Sequence, residues 1–164
     1  MAAPVRPTSI IMVLPTLEAI PPLVLPDGFA LRWHQPGDEA AWLAIQRVSD
    51  LINDFPDDAF ARHFGTDAVE HGRRIVYLEH DGRPIGTSAA WWSSPPFGPE
   101  AGRIHWVAVL PGYQGRGLGK ALLSATLLRL RTFGNTSAYL QTDTRRPVAI
   151  GLYQRFGFEI VGSP

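Results

Sequence analysis

The stretch VAVLPGYQGRGLGKALL, residues 107–123, constrains this chain more than any other. An apolar run ends in a Pro-Gly turn. Glycines follow at 115, 117 and 119, interleaved with Arg116 and Leu118, and then a helical pattern begins. Glycine is costly to order at the entry to a helix, so its threefold use needs a reason. The first N–H groups of a helix have no partner within it and point outward. The helix dipole adds partial positive charge at the same place. Without β-carbons, an anion can approach that backbone closely. Arg116 and Lys120 add charge at the rim. A buried strand, a turn and a helix with an anion at its start belong to an α/β architecture.

The spacing narrows the kind of anion. A P-loop reads G-x-x-x-x-G-K-[ST]. Gly119-Lys120 supplies its second half, but Gln114 stands at the first glycine and Ala121 replaces the hydroxyl. The dinucleotide fingerprint G-x-G-x-x-G matches Gly115 and Gly117 but meets Lys120 at its third glycine. No acidic residue closes a strand about 20 residues on, as that motif requires. What remains is Q-x-x-G-x-G, made by Gln114, Gly117 and Gly119, a pyrophosphate cradle of different spacing. A tight turn that merely needs glycine is the competing reading. The buried strand, the glutamine and the amphipathic helix around the triplet favour the cradle.

The rest of the chain fits one domain behind a leader. Residues 1–27 hold six of the fifteen prolines and three charged residues, so a boundary falls near Asp27-Gly28. Ser9 to Leu14 has strand composition and suits a sheet edge. Strands are expected over 28–35, 103–110, 137–142 and 158–162, and Asp81-Gly82 marks a hairpin between two more. Helices are expected over 36–52, 57–72, 115–134 and 146–157. Strands alternating with helices in the second half imply a parallel pair, and the hairpin implies an antiparallel part. The fold class is a mixed α/β (α+β) sheet flanked by helices.

Composition excludes several functions. The chain has 164 residues, 45% hydrophobic and 18% charged, which suits a globular core. Fifteen basic residues balance fifteen acidic ones, unlike a dedicated nucleic-acid binder. Cysteine is absent, which removes disulfides, thiolate metal sites and a cysteine nucleophile. No apolar run approaches the about 18 residues of a membrane span. Prolines interrupt the N-terminal apolar stretch before it makes a secretory signal. A cytoplasmic protein without metal, nucleic-acid or membrane partners is expected, with a homodimer left open.

Residues 107–123 resemble the acetyl-CoA-binding signature of the GNAT superfamily of N-acyltransferases. The segment TDTRRPVAIGLYQRFGFEIV resembles that superfamily's second motif, with Ala149, Leu152, Tyr153, Gly157 and Phe158 at the matching positions. The resemblance is specific over 103–162, compatible over 28–102 and absent over 1–27. It implies a GNAT-like acyl-CoA N-acyltransferase fold with a centrally splayed sheet. It also implies acetyl-CoA as co-substrate, with no metal. The contacts it implies are Val107, Ala108, Val109, Gln114, Gly115, Arg116, Gly117, Leu118, Gly119, Lys120, Ala149, Leu152 and Tyr153. The sequence departs from the family pattern in three places. Arg146 stands where asparagine is common, and it either meets the phosphorylated end of CoA or is solvated. Arg103 stands where many relatives carry a glutamate base. One strand usually found after the last is missing.

The implied reaction is N-acetylation of a primary amine, on a small molecule or a peptide, by direct attack on the thioester. The family resemblance makes Tyr153 the proton donor to the departing thiolate. A phenol with pKa near ~10 stays protonated at neutral pH. Tyr153 also fits an apolar helix face with Val148, Ala149, Leu152 and Phe156, as plain core. The Val109 N–H is implied as donor to the thioester oxygen. His105 resembles a histidine that relays protons in arylalkylamine N-acetyltransferases, and Glu100 or a water chain are the alternatives for the base. Asp50, Asp54, Asp57 and Asp58 suit either the steering of a cationic amine or helix capping. Trp91, Trp92, Phe97 and Trp106 suit either an acceptor pocket or core. Two rival functions remain: a catalytically silent acyl-CoA-binding module, and transfer of a longer acyl group.

Overall fold

A computed structural model describes residues 8–164. Seven strands among them form one mixed sheet in the order β2-β3-β4-β5-β6-β1-β7. They are β1 (Ser9–Leu14), β2 (Phe29–Trp33), β3 (Ile75–His80), β4 (Arg83–Trp91), β5 (Ala101–Val109), β6 (Ser137–Asp143) and β7 (Glu159–Gly162). Helices α1 (Glu39–Ser49), α2 (Ala59–Phe64) and α3 (Ala68–Arg74) precede β3. Helix α4 (Leu118–Thr132) joins β5 to β6, and α5 (Pro147–Arg155) joins β6 to β7.

The expected order of elements is present with one correction. The single helix expected over 57–72 is two, α2 and α3. Gly65 takes φ +66, a left-handed value at which an α-helix cannot continue. Asp67 then restarts the chain as α3, its carboxylate accepting from the N–H groups of Val69 and Glu70.

Helices cover both faces of the sheet. On one face, α1 and α2 press Trp42, Ile45, Phe60 and Phe64 against Ile75, Tyr77, Ala89 and Ala108. On the other, α4 and α5 press Leu123, Leu127, Tyr153 and Phe156 against Met12, Ile104 and Leu140. The side chains of β5 divide between these faces, Ile104 and Val107 toward α4 and α5 and His105, Trp106 and Ala108 toward α1 and α2.

The N-terminal strand is not at an edge. β1 lies inside the sheet, antiparallel to β6 from Ser9↔Asp143 to Leu14↔Ala138, and antiparallel to β7 on its other side. Ile10, Met12 and Leu14 face the core at 7%, 0% and 5% exposure. A strand contributed from the N-terminal side thus separates β6 from β7. Met12→Ala is expected to cost about 2–5 kcal/mol of stability, because it opens a cavity in the core beneath β1. Urea unfolding measures this, and a cost below about 0.5 kcal/mol, typical of surface sites, would contradict an integral β1.

The centre of the sheet is split. β5 and β6 run parallel but pair at three positions only, Ala101↔Ser137, Gly102↔Ala138 and Arg103↔Tyr139. Just beyond, the register between β4 and β5 shifts, so that Trp106 and Val107 together oppose Ser88. Trp106 takes φ +52 in this bulge. A bulge bends its strand, and here it turns β5 away from β6.

Candidate active site

The split opens a cleft of about 360 Å³. Its walls are β5 from Arg103 to Val107, β6 from Leu140 to Asp143, the end of α1, and Ala149 and Tyr153 of α5. The cleft joins the α4/α5 face to the α1/α2 face through the sheet.

The glycine turn stands at the end of β5. Gly115 and Gly117 take φ +79 and +76, which L side chains rarely adopt. Gly117 is the N-cap of α4, with no side-chain cap hydrogen bond. The first N–H groups of α4 are therefore left to an outside partner. A β-carbon on either glycine would meet nothing within 4 Å. The backbone thus requires glycine, and the space above the turn is also clear. Arg116 and Lys120 are exposed at its rim. Leu118, by contrast, puts its side chain in the core at 1% exposure, leaving only its backbone for an anion. Leu152 of α5 lies beside this first turn, with its Cδ2 3.4 Å from the position a β-carbon on Gly119 would take.

Gln114 is used by the protein itself. Its Nε2 donates to the Val109 carbonyl at 2.9 Å, tying the turn to the strand end. The Leu110 N–H donates to the Ile85 carbonyl at 2.8 Å. By the alternation of an antiparallel ladder, the N–H and C=O of Val109 then face away from β4, toward the gap. With its carbonyl held by Gln114, Val109 presents its N–H there. Val107 packs toward α4 and α5. The Ala108 side chain belongs to the α1/α2 cluster.

Tyr153 and His105 both line the cleft. Tyr153 is 8% exposed and packs against Phe158, and its hydroxyl has no hydrogen-bond partner among the described residues. Burial pushes its phenol up to about 12, so it remains a proton donor at neutral pH. Val148 does not share its face, being 84% exposed. His105 lies on the α1/α2 side against Phe64 and His63. Burial first, and then the Arg103 and His63 charges, hold its imidazole well below the ordinary value.

That depression has a consequence for stability. The unfolded chain binds the His105 proton more readily than the folded one. Stability is then fully present above about pH 6.5, the unperturbed value, and is lost as pH falls toward the folded value. Urea midpoints between pH 7.5 and 5.5 are expected to fall more for the native chain than for His105→Gln. Equal slopes would contradict the buried, depressed imidazole.

Several residues with a sequence-level claim lie elsewhere. Glu100 precedes β5 at its paired end, where its carbonyl accepts from Thr136 and Ser137, and it does not line the cleft. Trp92 stacks with Arg74 at 3.4 Å, and Phe97 stacks on Tyr139 at 3.9 Å, both away from the cleft. Trp91 belongs to the aromatic packing under α1 and α2, whereas Trp106 joins that packing and also lines the cleft. Asp57 and Asp58 pair with Arg47 and Arg62.

Asp50 and Arg146, both lining the cleft, hold each other. They pair at 2.7 Å from the end of α1 to the start of α5. Burial raises the Asp50 carboxyl, but Arg146, Asn53 and the Ile52 and Asn53 N–H groups outweigh that and hold it below its usual value. Gln46, 1% exposed on α1, donates to the Trp106 carbonyl at 3.1 Å and so secures the bulge. No local pattern marks Gln46, because its partner is 60 residues away.

The model of the acetyltransferase (GNAT) family matches residues 38–158 of this sequence. The chain belongs to the GNAT acetyltransferase family. Among curated GNAT relatives, the mycothiol acetyltransferase of Streptomyces griseus subsp. griseus is 33% identical over 144 residues, 82% of this chain and 44% of its own length. That of Pseudarthrobacter chlorophenolicus is 33% identical over 167 residues, covering 90% of this chain and 48% of its own. The chain spans about half the length of these relatives. Among solved structures, a GCN5-related N-acetyltransferase from Sphaerobacter thermophilus superposes with a TM-score of 0.79 at 23% identity, over 98% of this chain and 50% of that one. The ribosomal-protein-S18-alanine N-acetyltransferase of Escherichia coli gives 0.65 at 22% identity, over 80% and 77%. These likenesses establish the GNAT fold of the splayed sheet.

Proposed function

We propose that this chain moves the acetyl group of acetyl-CoA to a primary amine of a small molecule or peptide. The observation that carries this reading is a juxtaposition along one strand. β5 carries Tyr153's neighbour in the cleft, His105, and ends at Val109, whose N–H faces away from β4, just before the uncapped first turn of α4. The α4 turn suits the pyrophosphate, and the free edge of β5 suits the pantetheine amides.

The amine nitrogen attacks the thioester carbon, and the oxygen that gains charge accepts from the Val109 N–H. The carbon–sulfur bond then breaks. The sulfur takes its proton from the Tyr153 hydroxyl, and the nitrogen loses its proton to the neutral His105. The product is an amide and free CoA thiol. The names of GNAT relatives differ, from mycothiol acetyltransferase to a ribosomal-protein-S18-alanine N-acetyltransferase, so kinship supports the transfer and leaves the acceptor open.

A panel of amines incubated with acetyl-CoA, with thiol release as readout, tests the reading. Release that depends on the amine, with an acetylated product by mass, is expected. Acetyl-CoA binding without release on any amine would point instead to a silent binding module.

A further inference from the structure

The charges of the cleft are unevenly satisfied. Asp50 is taken by Arg146 and Asp143 by Arg145, at 2.7 and 2.8 Å. Arg103, which lines the same cleft, has no ion pair or side-chain hydrogen bond among the described residues, and its Nε is buried. The Trp106 Nε1, three residues on, is likewise buried without an acceptor. A buried donor left unpaired costs about 1–3 kcal/mol, and more when it is charged.

The position of Arg103 tells which ligand this serves. It is the last residue of β5 paired with β6, at the point where the split begins. Strand alternation puts it opposite Ile104, whose side chain faces α4 and α5. Arg103 therefore lies on the α1/α2 side, near enough to His105 and His63 for its charge to act on both. That is the side away from α5 and Tyr153. An ammonium group arriving there meets Arg103 and two histidines, and finds both cleft carboxylates already paired.

We infer that the acceptor is an amine that carries its own carboxylate, as an amino acid or a peptide with a nearby acid group does, and that Arg103 binds that carboxylate. This rests on the acetyl-transfer reading above and names its substrate class. The planar guanidinium offers a carboxylate a forked pair of donors. The bound carboxylate offsets the positive charge at the base of the cleft. It also sets the amine beside His105, where the thioester is attacked.

The test compares a panel of L-amino acids with their carboxamides as acceptors. The amide raises the fraction of unprotonated amine, so that intrinsic chemistry favours it. The native chain is nonetheless expected to prefer the acids by about tenfold or more in kcat/KM, mainly through KM. Arg103→Met is expected to bring the acid-to-amide ratio to about one, and Arg103→Lys to restore part of it. Amides equal to or better than acids with the native chain, or a ratio unmoved by Arg103→Met, would overturn the inference while leaving acetyl transfer intact. If no member of the panel turns over, calorimetric binding of the same compounds to the chain loaded with CoA decides. Carboxylate-dependent binding lost in Arg103→Met supports the inference, and binding that ignores the carboxylate, or none, overturns it. Failure to bind CoA at all would instead remove the reading beneath it.

Discussion

Tyr153→Phe is expected to lower kcat by about 100-fold or more while leaving acetyl-CoA affinity within about twofold. The substitution removes one oxygen and keeps the ring. The ring is what packs against Phe158 and fills the core beside α5. The hydroxyl makes no hydrogen bond to a described residue, so its loss strands no partner. Stability is thus little changed, and the whole effect falls on the step that needs a proton at sulfur. Steady-state kinetics with the best acceptor, beside a CoA titration, separates the two. A kcat within about threefold of the native chain would reduce Tyr153 to a core residue.

Gly117→Val is expected to weaken acetyl-CoA binding by about 100-fold, or about 2.7 kcal/mol. Two effects need separating. A valine at φ +76 is strained and costs about 1–2 kcal/mol of stability by itself. It also puts a branched side chain over the uncapped N–H groups of α4. Gly134, just past the other end of the same helix, supplies the control. It takes φ +88, and a β-carbon there likewise meets nothing within 4 Å. Gly134→Val should therefore lose similar stability and keep its affinity for CoA. Equal affinity losses at both positions would mean that strain alone weakens binding.

The parts of the molecule legible in the sequence are those whose cause is local. The 107–123 stretch announces a strand, a left-handed turn and a helix start within seventeen residues, and Asp81-Gly82 announces its hairpin. What was not legible depends on distant partners. β1 reads as an edge strand, because nothing within Ser9–Leu14 reveals that β6 lies on one side and β7 on the other, both more than a hundred residues on. Arg146 reads as an unexplained departure until Asp50, 96 residues away, is brought against it. The break between α2 and α3 was carried by one glycine that helical periodicity tolerates. The bulge at Trp106 gave no signal, although it splits the sheet, because its cause lies in the register with β4. The Arg103 position was visible as a substitution, and its meaning came only with the pairing of every other charge in the cleft.

Calorimetric titration of the native chain with acetyl-CoA tests the central claim most directly. The account predicts saturable binding of one molecule per chain, displaced by free CoA. Heats indistinguishable from dilution, across the micromolar to millimolar range usual for enzyme substrates, would contradict the assignment of the α4 turn and the β5–β6 cleft as an acyl-CoA site.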